Sequence, residues 1–94
     1  MQKTLHTAEN QLFLAMLRER RESAGVTQTD LALRLGGRQT DISKVERGVR
    51  RLDVIELTRW LAALNVSLPE FVVDLVAGME RIDALEQHVR LRKR

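Results

Sequence analysis

The sequence predicts an all-α fold, and three observations carry the prediction. Proline occurs once, at Pro69, while alanine, leucine, glutamate and arginine, all good helix formers, are plentiful. Apolar residues recur at three- and four-residue steps between well-marked start and stop signals. No stretch alternates apolar and polar side chains as a half-buried strand would. Aromatic residues are scarce, with only Phe13, Trp60 and Phe71. A chain of 94 residues makes one domain with room for an appended helix. A domain of this size buries only about 60% of its unfolded surface, so a partner subunit would add stability.

The elements follow in order. Thr7, with Asn10 three residues on, opens a first helix whose apolar positions are Leu12, Phe13, Ala15, Met16 and Leu17, and Gly25 ends it. Thr27-Gln-Thr-Asp30 reads as a capping box for a second helix with the stripe Leu31, Ala32 and Leu35, stopped by Gly36-Gly37. A third helix runs through Ile42 and Val45 to Gly48. Asp53 and Glu56 cap a fourth, with Ile55, Leu57, Leu61 and Leu64 as its apolar residues and Asn65 closing it. Ser67-Leu-Pro-Glu70 is a further start, with Pro69 in the first turn, where a missing N–H has no consequence. From there Val72, Leu75, Met79, Ile82 and Val89 fall on alternating steps of three and four, with Glu86 in the one gap and Leu85 widening the stripe. That is a seam of under three heptads, either one long helix or two helices broken at Gly78.

Charge is uneven along the chain. Residues 1–51 carry ten basic and six acidic side chains, residues 52–89 two basic and seven acidic, and residues 90–94, RLRKR, add four positive charges. A basic half beside an acidic segment points to one face that meets a polyanion.

Several function classes drop out. Without cysteine there is no disulfide framework, thiolate metal site or thiol nucleophile. The N-terminal MQKTLHTAENQ lacks the apolar run of a secretory signal, and no segment approaches the ~20 apolar residues of a membrane span. The only histidines, His6 and His88, sit near the termini. No metalloprotease, hydrolase-elbow or phosphate-loop motif is present. Asp30 and Asp41 are accounted for by helix N-termini. The expectation is a cytoplasmic protein with no enzymatic activity, metal or cofactor.

The second and third helices, Gln28–Leu35 and Gln39–Arg47, are joined by a turn of about three residues containing glycine, the layout of a helix-turn-helix. Leu31, Ala32, Leu35, Ile42 and Val45 would face one core, leaving Gln39, Thr40, Ser43 and Lys44 on the outward face of the third helix. An α-helix fits the major groove of DNA, where each base pair shows a distinct pattern of donors and acceptors.

The stretch TQTDLALRLGGRQTDISKVERG, residues 27–48, resembles the phage repressor/Cro family, also called Xre-type. The resemblance extends into LRERRESAGV before it and RRLDVIELTRWLAALNV after it, about two-thirds of the chain. It implies a lambda-repressor-like domain of five helices plus a C-terminal helix. Residues 7–69 would form the DNA-binding domain. Residues 70–94 would form a dimerisation segment with a basic tail and the seam Val72, Leu75, Met79, Ile82 and Val89. By resemblance Gln39, Thr40 and Lys44 read bases, and Ser43 contacts a base or phosphate. Gln28 reaches a phosphate beside a helix N-terminus. Arg38, Arg50 and Arg51 look like phosphate clamps that set register. Arg21 and Glu46 match a family ion pair of structural role. Two positions depart from the family pattern: Gly37 stands where an apolar residue is usual, and Arg38 where Ser, Thr or Pro is frequent.

The function implied is a transcriptional regulator, acting as a repressor on a pseudo-palindromic operator in double-stranded DNA as a homodimer. It would associate with the nucleoid through DNA and need no membrane. With no separate ligand domain, no small-molecule ligand is expected. Two rival readings are the antitoxin of a toxin–antitoxin pair, with a toxin protein as partner, and a helix-turn-helix used only as a protein-interaction adaptor.

Overall fold

The computed structural model describes residues 7–92, apart from the side chain of Arg92. His6, Lys93 and Arg94 lie outside the described residues. Five helices form: α1 (Ala8–Ser23), α2 (Gln28–Leu35), α3 (Gln39–Glu46), α4 (Val54–Ala63) and α5 (Leu68–Arg92). All described regular structure is helical.

Local chemistry sets most of the boundaries. Thr7 Oγ1 accepts from the Asn10 amide at 3.1 Å and starts α1. Thr27 and Asp30 form a reciprocal capping box at α2, with bonds of 3.0 and 3.1 Å. Asp53 and Glu56 do the same at α4, with 2.7 and 3.1 Å. Ser67 Oγ takes the Glu70 amide at the start of α5. The turn out of α2 needs a left-handed residue, and Gly36 supplies it at φ 71°, so that the Gly37 amide reaches back to the Ala32 carbonyl at 2.9 Å. Arg34 Nη1 caps the far end of α4 by donating to the Ala63 carbonyl at 2.8 Å.

The core is continuous from α1 to α5. Leu17, Leu31, Leu61, Val45 and Phe71 are essentially sealed from water. α2 packs on α3 and α4, while α1 packs on α3 and α5. Phe13 meets Phe71 edge-to-face at 6.0 Å, and the Arg20 guanidinium lies 5.7 Å from the Phe71 ring while reaching Asp74 at 2.8 Å.

The fifth helix and the C-terminal helix are one element. Of the two arrangements open in the sequence, the unbroken one is adopted, because Gly78 serves a close approach and not a stop. It is buried against α1, and a Cβ there would meet Leu12 Cδ2 at 2.5 Å. At 25 residues α5 is about 37 Å long. Residues 83–91 are all exposed. This overhang gives the molecule extents of 52 × 28 × 22 Å and a radius of gyration of 15.0 Å, against ~12 Å for a compact chain of this length. No single helix among the described residues is long and apolar enough to cross a membrane.

Candidate nucleic-acid interface

α3 is divided between two environments. Ile42 and Val45 are buried and anchor it to the core. Gln39, Thr40 and Lys44 are exposed on the other side, with Ser43 half-buried beside them. Lys44 makes no side-chain hydrogen bond or ion pair among the described residues, so its ammonium is free for an outside partner.

Beneath this face runs a chain of hydrogen bonds that begins in the interior. Arg21, on α1, is 7% exposed, and the Glu46 side chain is 4% exposed. The pairing is bidentate: Arg21 Nε donates to Glu46 Oε2 at 2.6 Å and Nη2 to Oε1 at 3.0 Å. Arg21 Nη1 donates to the Val26 carbonyl at 2.9 Å, so the guanidinium is well satisfied despite its burial. Hydrogen bonding to the Glu46 carboxylate holds the Arg21 pKa above its ordinary value. Glu46 Oε1 also accepts from Gln28 Nε2 at 3.0 Å, and Gln28 Oε1 in turn accepts from Gln39 Nε2 at 2.6 Å.

This ladder has a direction. A carboxylate only accepts, so Gln28 must turn its NH2 toward Glu46 and its carbonyl toward Gln39. Gln39 must then turn its own NH2 toward Gln28. What remains at the surface is the Gln39 carbonyl oxygen and one N–H, an adjacent acceptor and donor in fixed orientation. That pair matches the N6 donor and N7 acceptor of adenine in the major groove.

The remaining expected residues are distributed unevenly. Arg38 carries no acceptor, and Asp41 Oδ2 takes the Arg38 amide at 3.2 Å in place of a capping side chain. The Arg38 guanidinium stays 84% exposed, 3.9 Å from Asp41. Arg51 is exposed and makes no side-chain bond among the described residues. Arg50 is turned toward α4, where Nη2 meets Glu56 Oε2 at 2.5 Å. The Arg50 bond, with help from the Asp53 amide, lowers the Glu56 pKa, and the same bond raises that of Arg50. Arg47 escaped the sequence reading. It is exposed at the end of α3 and its Nε donates to Ser43 Oγ at 3.1 Å, an i,i+4 relation that places a cation beside the outward face.

The α5 seam residues divide as well. Leu75 packs against its own core, Met79 and Ile82 are half-buried, and Val72 and Val89 are 41% and 51% exposed. Near the start of α1, the carboxylates of Glu9, Asp83 and Glu86 come within 4.8 Å of one another at the surface.

Comparison with known proteins agrees with this geometry. The family model HTH_3, helix-turn-helix, matches residues 17–71. Comparison with curated proteins returns no match. Among solved structures, an XRE-family like protein from Pseudomonas syringae pv. tomato str. DC3000 is 41% identical with a TM-score of 0.74, over 80% of this chain and 92% of that one. A point mutant of the restriction-modification controller protein C.Esp1396I is 27% identical with a TM-score of 0.69, over 78% of this chain and 92% of the other. The clp gene regulator ClgR from Corynebacterium glutamicum is 25% identical with a TM-score of 0.72, over 90% of each chain.

Proposed function

This chain belongs to the HTH_3 family of Xre-type helix-turn-helix DNA-binding regulators, and from that membership we propose that it is a repressor that binds a two-fold symmetric operator as a homodimer. The observation that carries the reading is the outward face of α3, on which Gln39 is held in one orientation by the ladder through Gln28 to Glu46. Gln39, Thr40 and Lys44 read bases from the major groove, Gln39 favouring adenine and Lys44 guanine. Ser43, with Arg47 bound to it, meets a base or the adjoining phosphate. Arg38 and Arg51 hold the phosphate backbone, Gln28 adds the one amide N–H that its bonds to Glu46 and Gln39 leave over, and Arg50 contributes from its seat on Glu56. In this reading the protein works on the chromosome in the cytoplasm and catalyses nothing.

Dimerisation is assigned to α5. Its overhang offers Leu85 and Val89, 65% and 51% exposed, as a continuation of the face that carries Leu75 and Ile82 closer to the core. Apolar side chains on a projecting helix gain most from a two-fold copy of the same helix. The units 7–69 and 70–94 therefore share a helix, whose first turns serve the DNA-binding core through Phe71 and Leu75.

Competition binding against single-base operator variants tests the assignment. Gln39→Ala and Lys44→Ala are each expected to lose ~1–3 kcal/mol of discrimination at one position of the half-site. Unchanged base preference in both variants contradicts it.

A further inference from the structure

Arg50 is set against the end of α3 by its backbone. Gly48 turns the chain at φ 76°, and the amides of Val49 and Arg50 both donate to the Lys44 carbonyl, at 2.8 and 3.2 Å. The Cα of Arg50 is therefore fixed relative to the outward face of α3, and what its charge does depends on where the side chain turns.

The side chain turns to a carboxylate that is itself held in place. Arg50 Nη2 donates to Glu56 Oε2 at 2.5 Å. The other Glu56 oxygen, Oε1, accepts the Asp53 amide at 3.1 Å, and the Glu56 amide donates to Asp53 Oδ1 at 2.7 Å. The capping box of α4 thus keeps one oxygen of Glu56 for the helix start and presents the other to Arg50. Asp41 and Asp53 also act on Arg50, and Arg59 acts on Glu56. The four charged side chains Asp41, Arg50, Glu56 and Arg59 line one groove, where two positive charges meet two negative ones. The Arg50 and Glu56 side chains remain 44% and 35% exposed, so an outside anion can reach the pair.

A phosphate that approaches Arg50 meets a cation already balanced, with a fixed negative charge beside it. Arg51, the next residue, is exposed and has no such partner among the described residues. We propose that Glu56 is an affinity-determining residue that attenuates the hold of Arg50 on the phosphate backbone. The inference rests on the DNA reading given above and adds to it an acidic residue that opposes binding. Phosphate contacts carry no sequence information, so the attenuation falls on all duplexes alike.

Glu56→Gln separates the charge from the cap, because the amide oxygen of glutamine still accepts the Asp53 N–H. Fluorescence anisotropy of the full chain on a labelled random-sequence duplex measures the effect. At low salt Glu56→Gln is expected to bind about two- to fivefold tighter than the wild type, the worth of an exposed ion pair. The gain should shrink as salt is raised. Glu56→Ala, which removes the acceptor as well as the charge, is expected to gain likewise, with circular dichroism checking that each variant stays helical. In the Arg50→Ala background the gain from Glu56→Gln should be lost, since no Arg50 charge is left to restrain. An equal gain in both backgrounds overturns the proposal, because Glu56 would then act as one more surface charge. So does a folded Glu56→Gln variant that binds no more tightly than a wild type that itself binds. A wild type that binds no duplex at low salt overturns the DNA reading, and the proposal with it.

Discussion

Glu46 serves two purposes at once, one inside the protein and one at its surface. Its carboxylate balances the buried Arg21 charge and also anchors Gln28, which in turn orients Gln39. Removing one member of a buried pair strands the other, and that is far more costly than losing an exposed pair. Glu46→Ala is therefore expected to lose about 3–5 kcal/mol in urea denaturation. A loss below ~1 kcal/mol would give the pair the worth of an exposed one and contradict its structural role. The basic residues behind α3 differ in the same way that charged groups differ generally. Arg51 is free to meet a phosphate, whereas Arg50 must share itself with Glu56. Sequence alone ranks these neighbours equally, because nothing in an Arg-Arg pair says which side chain turns back to a carboxylate five or six positions on.

At the scale of elements, what was legible depended on range. The starts of α1, α2, α4 and α5 are written in caps whose partners lie three residues apart, at Thr7, Thr27, Asp53 and Ser67, so the sequence displays them directly. The outward face of α3 is legible for a similar reason, since helical spacing alone separates Gln39, Thr40 and Lys44 from Ile42 and Val45. The Gln28–Gln39 bond, the Arg50–Glu56 pair and the orphan Trp60 donor are products of tertiary approach and leave no local signature. Gly78 is the clearest case. As a residue type it marks a possible break, yet its role is to let α1 and α5 cross closely at Leu12. A large side chain there must push the two helices apart. Gly78→Leu is expected to lose about 1–3 kcal/mol of stability despite leucine's higher helix propensity, the usual range for overpacking. Thermal and chemical unfolding of the variant check this, and an unchanged or raised stability would mean that α1 and α5 are not closely packed.

In the proposed dimer, α5 links the helix-turn-helix body to its own copy. The helix begins in the core at Phe71 and ends in an overhang from residue 83 on that no described part of the chain covers. Leu75 is committed to the monomer, so a clean test of dimerisation must use the exposed positions beyond it. Leu85→Asp with Val89→Asp is expected to give a folded monomer, with helicity retained by circular dichroism and the mass halved by light scattering. A double variant that stays dimeric would place the interface elsewhere, and one that unfolds would place the overhang in the monomer core.

The proposed two-fold dimer would present two α3 helices to one face of DNA, and the half-sites read would then be inverted copies of each other. Selection of bound fragments from a random duplex pool at low salt tests this most directly. The expected result is an enriched inverted repeat whose half-site centres lie one helical turn, about 34 Å, apart. No enrichment over random DNA, or a single asymmetric site with no second half, would contradict a dimeric reader that works through α3.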